Sequence, residues 1–407
     1  MEAVQPRTRV VRRHCAPMTF PCPRCGKPGR RKQVHTRRVR EAVLDRLLDD
    51  GMIMERLRRA LHRDFHLDLS DGFLYDCLDW KARQVDLPAY RQWTLAQFSG
   101  TLCIDEIHLG HRTLLLATDP LGDFPVAFAL VRANDQGHMR RFLHNLKNWG
   151  FAPTVVVSDG SNLYPALLAE IWPQARHQLC VFHVLKDING HVFDALRRLR
   201  RQLGRRGQRK HRRGRPSKAQ KRARVRHGKT KKEQAYFIWK HRHLIVTRPE
   251  NLNGRQRRWL SQMFRSLPAL RALRQFVLAV YRLFDPGQSP HQARCRRAAL
   301  VKNPQFLADA DLAQALALLA PDKFDKMIAY LHSPAGRRVR TNNHVERVNR
   351  RLRYFEKVRY KWRRRRTIVR FVVLALDRWR QRHASAPVAT SPSQQPQQRH
   401  HRLKPAA

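Results

Sequence analysis

Three acids in this chain could do chemistry together. The chain has 83 Lys and Arg against 31 Asp and Glu, so an acid placed at the end of an apolar run is informative. Asp105 sits in Leu102-Cys103-Ile104-Asp105-Glu106-Ile107, and Asp159 closes Val155-Val156-Val157-Ser158 just before Gly160 and a helix. Open α/β sheets present ligands at the carboxyl ends of their strands. Glu346 lies in the stretch 341–353, which reads as a helix with positions 342, 346, 349, 350 and 353 on one face. That face sets the carboxylate among Asn342, Asn349, Arg350 and Arg353, groups suited to phosphate. The chemistry that needs such a set is cleavage of a phosphodiester. It requires an activated water and a stabilised leaving oxygen, and two Mg²⁺ ions about 3.5–4 Å apart provide both. Mg²⁺, with Mn²⁺ as substitute, takes hard oxygen ligands. Two Asp and one Glu can hold the pair, one Asp bridging. Strand side chains alternate, so only one of Asp105 and Glu106 belongs to a given site.

Each acid has a plainer reading. Asp159-Gly160-Ser161 is also what an ordinary strand-to-helix turn with a capping acid looks like. Glu346 could merely pair with Arg350 one turn on. The chemical reading rests on the three together, in this order and on these elements.

The elements that must position them follow from periodicity. Residues 99–196 alternate apolar runs with helical patterns, the signature of an α/β layer. The runs are Leu102–Ile107, Thr113–Ala117, Val126–Val131, Thr154–Val157 and His177–Phe182. Helices are expected at Gly137–Trp149 and Ser161–Trp172, with Ser161 as N-cap and Pro173 as stop. Residues 39–98 read as short helices. Met52–His62 and Phe73–Arg83 around a turn at Leu67–Gly72 form either a DNA-binding helix-turn-helix or a helical spacer; Asp76 and Asp79 suit a groove-reading helix poorly. Residues 197–232 are rich in Arg, Lys, Gly and Gln, which predicts a basic segment without a core of its own. Helical patterns resume over 233–334, including Arg257–Leu267, Leu270–Phe284 and Leu312–Leu319. Residues 335–384 carry the Glu346 helix and a last helix at Thr367–His383. Residues 385–407 read as a loose Ser/Pro/Gln-rich tail.

With its acids in this order, the sequence resembles the DDE transposases of bacterial insertion sequences. The resemblance implies a ribonuclease H-like catalytic core: a five-stranded mixed sheet flanked by helices, with Asp105 on the first strand, Asp159 after the fourth and Glu346 on a later helix. The gap between Asp159 and Glu346 is too long for the plain domain and implies an all-α insertion, as in mutator-like and related groups. Those groups also carry Cys-x-x-His after the fifth strand. Here Cys180-Val181-Phe182-His183 occupies that place, which implies that Cys180 and His183 lie beside the active site, with Asn349 and Arg350. The implied activity is Mg-dependent hydrolysis and strand transfer at transposon ends. The implied partners are element and target DNA, bound by a homo-oligomer in the bacterial cytoplasm, at the nucleoid. The alternative is a transposase-derived regulator that binds DNA without cutting it.

Residues 1–38 suggest a second metal. Cys22-Pro23-Arg24-Cys25-Gly26 forms a knuckle turn whose two thiolates reach one ion. Cys15 is the natural third ligand of a structural Zn²⁺, and His35 the fourth, with His14 as the alternative. The formal net charge of +52 points to a polyanionic partner. Within Arg212–Pro216, Arg213 and Arg215 flank or enter a Gly-Arg-Pro that resembles an AT-hook core, and general phosphate binding is the competing reading. Arg353, Arg359, Lys361 and Arg363 extend the basic face after the Glu346 helix. The sequence has neither a membrane-length apolar run nor a signal-type N-terminal segment, and the expectation is an intracellular protein with no membrane partner.

Overall fold

The computed structural model describes residues 9–11, 32–34, 37–65, 67–161, 163–205, 218, 230–358 and 364–384. They divide between two compact units, one drawn from residues 1–92 and 352–407, the other from 93–351. The chain opens with two short antiparallel strands, β1 (Arg9–Val11) and β2 (Lys32–Val34). Four helices follow: α1 (Arg37–Leu48), α2 (Met54–Phe65), α3 (Asp71–Ala82) and α4 (Leu87–Gln97). Ser70 caps α3, its Oγ accepting from Phe73 N at 3.2 Å. This fixes the turn between α2 and α3 where the sequence placed it.

The second unit is built on β3 (Thr101–Leu109), β4 (Arg112–Asp119), β5 (Phe124–Val131), β6 (Val155–Ser158) and β7 (Arg176–Leu179), in the order β5-β4-β3-β6-β7. β3, β4 and β5 form an antiparallel meander; β6 and β7 join parallel to β3. β3 is therefore central. Its residues Leu102, Cys103 and Ile104 are fully buried, as are Val156 and Val157 of β6, which is why these runs read as continuously apolar. The β4–β5 turn is closed from inside by buried Asp119, whose carboxylate accepts from Ser99, Leu121 and Gly122 backbone amides and the Ser99 hydroxyl. Helices α5 (Gln136–Asn148) and α6 (Tyr164–Ile171) cover the sheet with Met139, Phe142, Leu143 and Leu146, and with Tyr164, Leu167, Leu168 and Ile171.

After β7 the described residues are helical. α7 (Val181–Arg205), α8 (Lys231–Lys240), α9 (Gly254–Ser266), α10 (Leu270–Leu283), α11 (Pro290–Val301), α12 (Pro304–Leu307), α13 (Ala310–Ala317) and α14 (Pro321–Met327) enclose an apolar core running from Val184 to Leu331. Side chains at the starts of α8, α9 and α11 form reciprocal capping boxes: Thr230 with Glu233, Asn253 with Gln256, Ser289 with Gln292. This array is tied back to the sheet by one buried amide. Gln178 of β7 donates to Met327 O at 2.8 Å and accepts from Tyr330 N at 2.7 Å. Val181 N then bonds Arg340 O at 2.9 Å, so the chain runs along the sheet edge into α15 (Asn343–Val358).

The last helix, α16 (Arg365–Ala384), packs with α3 in the first unit and is ion-paired to α1. Asp79 pairs with Arg366 and Arg370, Asp45 with Arg378, and Asp49 with Arg378 and Arg382. An acid on α3 thus has a structural use.

Three boundaries differ from the sequence reading. The fifth run, expected as His177–Phe182, is a strand only to Leu179. Cys180 N makes the next bond, to Ser158 O, and α7 begins at Val181. The helix expected from Ser161 starts at Tyr164, because Asp159 and Ser161 are used in the turn before it. Residues 197–205, expected to open the basic segment, continue α7, where Leu199 and Leu203 still reach apolar neighbours. The tail, 385–407, and most of the basic segment lie outside the described residues.

Gln178 generates a stability test. Gln178→Leu strands two buried backbone groups, each worth about 1–3 kcal/mol when unsatisfied. Urea unfolding should show a loss of at least about 2 kcal/mol, against about 1 kcal/mol for removing the α11 cap with Ser289→Ala.

Candidate active site

The parallel register pairs Leu102 with Val156 and Cys103 with Val157. Two residues beyond, the same register sets Asp105 level with Asp159. Asp105 is largely buried, and its carboxyl is pushed up to about 7, first by burial, then by the charge of Glu106, with Asp159 and Glu346 adding to it. The last two contributions mean that acids from three separated segments lie within electrostatic reach of one another. Asn349 of α15 donates to Asp105 Oδ2 at 2.8 Å. Asp159 Oδ1 accepts from Ser161 N at 2.9 Å, so one of its oxygens also closes the strand-to-helix turn.

Glu346 stands in the first turn of α15. Its ion pair is with His183, Nε2 to Oε1 at 3.6 Å, and not with Arg350, which is exposed. Arg350 therefore does not surround Glu346 as helix periodicity suggested. Arg353 is also exposed and belongs to the first unit. Asn342, fully buried, donates to Ile104 O at 3.1 Å. The amide of the same residue donates to Cys180 Sγ at 3.2 Å. Burial pushes the Cys180 thiol up, so it accepts that bond as a neutral group. Cys180 and His183, one helical turn apart at the start of α7, thus brace the segment that carries Glu346. A helix start, rather than a strand end, is what brings both side chains to the same side.

Sequence reasoning passed over Glu106. Its carboxylate accepts from Asn134 Nδ2 at 2.8 Å and from the hydroxyl of buried Tyr164. Asp105 is held from α15 and Glu106 from α6, consistent with strand alternation. The Glu106 charge still acts on Asp105 more than any other acid does. A tyrosine opening α6 was the available signal.

The donor set fits a hard cation. Glu346 Oε1, Asn342 Oδ1 and Asn349 Oδ1 are buried oxygens without a hydrogen-bond partner. Buried acceptors of this kind are normally satisfied, and three beside a repelling set of carboxylates suit Mg²⁺. Among the described residues no three His, Cys, Asp or Glu side chains converge closely enough to hold an ion as they stand. The zinc ligands expected in the sequence, Cys15, Cys22, Cys25 and His35, and the DNA-contacting Arg213, Arg215, Arg359, Lys361 and Arg363, lie outside the described residues. Among those residues no helix is long and apolar enough to cross a membrane.

Comparison with known proteins agrees with the resemblance seen in the sequence. A transposase family model of DDE type, the ISL3 group, matches residues 102–367. The chain belongs to this family of DDE transposases, which settles the group that the sequence left open. Among solved structures, the Drosophila P element transposase strand transfer complex is similar at 12% identity and a TM-score of 0.38, over 83% of this chain and 91% of that one. No curated protein sequence matches significantly.

The raised Asp105 gives a pH signature. The folded chain favours the acid form, while the unfolded chain releases its proton near the ordinary value of 3.8. Below that value both states are protonated and no penalty exists; as pH rises toward about 7 the fold loses stability. Asp105→Asn removes the penalty and keeps an acceptor for Asn349. In divalent-free buffer the variant should melt higher than the parent at pH 8 and coincide with it near pH 4. A constant difference across that range would refute the assignment.

Proposed function

We propose that the chain is a DNA transposase that cuts element ends and joins them to target DNA, with Asp105, Asp159 and Glu346 as its catalytic carboxylates. The observation that carries this reading is that Asp105 of β3 feels the charge of both Asp159, at the end of β6, and Glu346 of α15, so acids from three separated segments stand within electrostatic reach of one another. Family membership supports it, as does the sheet order, which is the arrangement expected of a ribonuclease H-like core. Held by these carboxylates, two Mg²⁺ or Mn²⁺ ions would supply an activated water and stabilise the leaving oxygen.

The chain's own residues do the positioning. Asn349 orients Asp105 from across the site, and His183 stands within ion-pair distance of Glu346 without hydrogen-bonding it. Asn342 and Cys180 fix the start of α15 against β3 and β7. Water exclusion follows from burial of the surrounding sheet, and it strengthens each charge interaction in the site.

The same proposal assigns 99–196 and 335–384 to the catalytic core and 233–334 to an all-α insertion. Residues 1–38 are assigned to a structural zinc module, 39–98 to a helical DNA-binding region, and 197–232 to a basic phosphate-tracking segment. The working form is a homo-oligomer on DNA, in a bacterial cytoplasm at the nucleoid.

Alanine at Asp105, Asp159 or Glu346 should each reduce Mg-dependent nicking of the element's end by several orders of magnitude while DNA binding persists. Near-parental nicking by a folded variant removes that acid from the site. Absence of nicking in the parent chain, with DNA binding intact, would favour the regulator reading. The zinc module has its own test: elemental analysis of the full chain purified under reducing conditions should give one zinc, lost in Cys22→Ser.

A further inference from the structure

Away from the carboxylates, the helical array gathers arginines on tryptophan. Arg197 and Arg200 lie three apart on α7 and so share a face. Their guanidinium carbons sit 5.7 and 4.8 Å from the centre of the Trp239 ring. Arg242, from the 3-10 turn Arg242–Ile245, lies 4.5 Å from the same ring. Three cations thus surround one indole. Arg197 has a counter-ion in Asp194; among the described residues Arg200 and Arg242 have no carboxylate at ion-pair distance. All three are half-buried, so each keeps a face toward solvent.

The turn that carries Arg242 is fixed from beneath. Buried Arg274 donates to Leu244 O and Ile245 O, the latter at 2.7 Å, and to Thr247 O. Tyr281 donates to Val246 O at 2.6 Å. His241, buried between Phe237 and Trp259 with ring centres 4.6 and 4.2 Å away, anchors the other end. Burial, then nearby cations, lowers its affinity for a proton, so it packs there as a neutral ring. Trp259 in turn carries Arg255 at 4.7 Å.

Packing three guanidiniums at one spot with a single carboxylate, Asp194, among them is Coulombically unfavourable for the free chain. Each gains from the ring face, but their mutual repulsion is relieved only by an anion. A rigid turn and a long helix hold them ready, so little side-chain entropy remains to be lost on binding. The Trp239 ring is already engaged by guanidiniums, so the charge they carry, rather than the ring, is what a ligand meets. The ligand that fits is a row of phosphates.

We propose that Arg200 and Arg242, seated on Trp239, form a contact surface for the phosphate backbone of duplex DNA, separate from the carboxylate site and indifferent to base sequence. This rests on the transposase reading, and its test is separable from that of catalysis.

The test uses the full chain in EDTA, with a fluorescent random-sequence duplex titrated from low to high salt. Each phosphate contact contributes about 0.9 to the slope of log K against log salt. Arg200→Ala/Arg242→Ala should make that slope shallower by about 2. Arg200→Lys/Arg242→Lys, which keeps the charges, should restore most of it. At low salt and saturating protein the alanine pair should still nick element ends with Mg²⁺. An unchanged slope in a folded alanine pair overturns the proposal, as does an effect confined to single-stranded DNA. Loss of nicking with an unchanged slope counts against it too, since the arginines would then serve chemistry rather than binding. Nicking absent in the parent chain counts instead against the transposase reading alone.

Discussion

The hydrogen bond from Asn349 to Asp105 spans 244 positions of sequence, and the candidate site exists only if it closes. Asp105 comes with the central strand and Asp159 with its parallel neighbour, so those two acids are set by a local register. Glu346 arrives after the whole helical array. Its delivery depends on a short series of buried bonds. Gln178 fixes the end of the array to β7, Val181 takes Arg340, Cys180 takes the Asn342 amide, and Asn342 takes Ile104 O. Each is a polar group out of water, where an unmade bond is costly and a made one specifies geometry. Long closure is entropically cheap per added residue. A large all-α segment can therefore stand between β7 and α15 without preventing their meeting, provided these few bonds form.

The electrostatics run against folding at the same place. Burial alone disfavours an ionised Asp105, and three neighbouring acids add to the effect. In a chain of formal charge +52, arginine partners would have been easy to supply, yet Asp105 meets an asparagine and Glu346 a histidine. Neutral or weakly basic partners orient a carboxylate without neutralising it. This is the arrangement expected where carboxylates must remain available to a cation, and it is opposite to the treatment of Asp79, Asp45 and Asp49, each of which is closed by arginine.

Much of this was legible in the sequence, and what was legible followed physical period. Five apolar runs gave five strands because buried strands are continuously apolar, and the turn expected at Leu67–Gly72 falls between two helices. The three acids stood out because acid is rare here and strand ends are few. The misreadings share a cause. Val181 and Phe182 are apolar and β-compatible, but the sheet bond made by Cys180 ends the strand, and no local pattern encodes that. The face of α15 was read correctly as a helix face, yet Arg350 and Arg353 turn to solvent while Asn349 turns inward; a wheel cannot say which edge of a face is covered. Glu106 was set aside in favour of Asp105, and its partners, Asn134 and Tyr164, come from separate segments that no local pattern joins. Leu199 and Leu203 were lost in a run of arginine, where composition hides two apolar positions four apart.

The distribution of acid explains how so basic a chain stays ordered. In the first unit, acids on α1 and α3 meet arginines of α16, and in the helical array Arg198 meets Asp309 and Asp311. Pairs of this sort at or near the surface contribute about 0–1 kcal/mol each, too little to account for the fold. Their effect is to fix which face of a basic helix turns inward, since only one face finds carboxylates. The arginines left over are those that point away from acids, and on α7 the two kinds are adjacent. Arg198 turns to Asp309 and Asp311, while Arg200, on the neighbouring face, turns to Trp239. Arg198 is thus neutralised by the protein, and Arg200 keeps its charge for a partner. A helix sorted in this way needs no excess of stabilising contacts, only that its few acid partners be placed on one side.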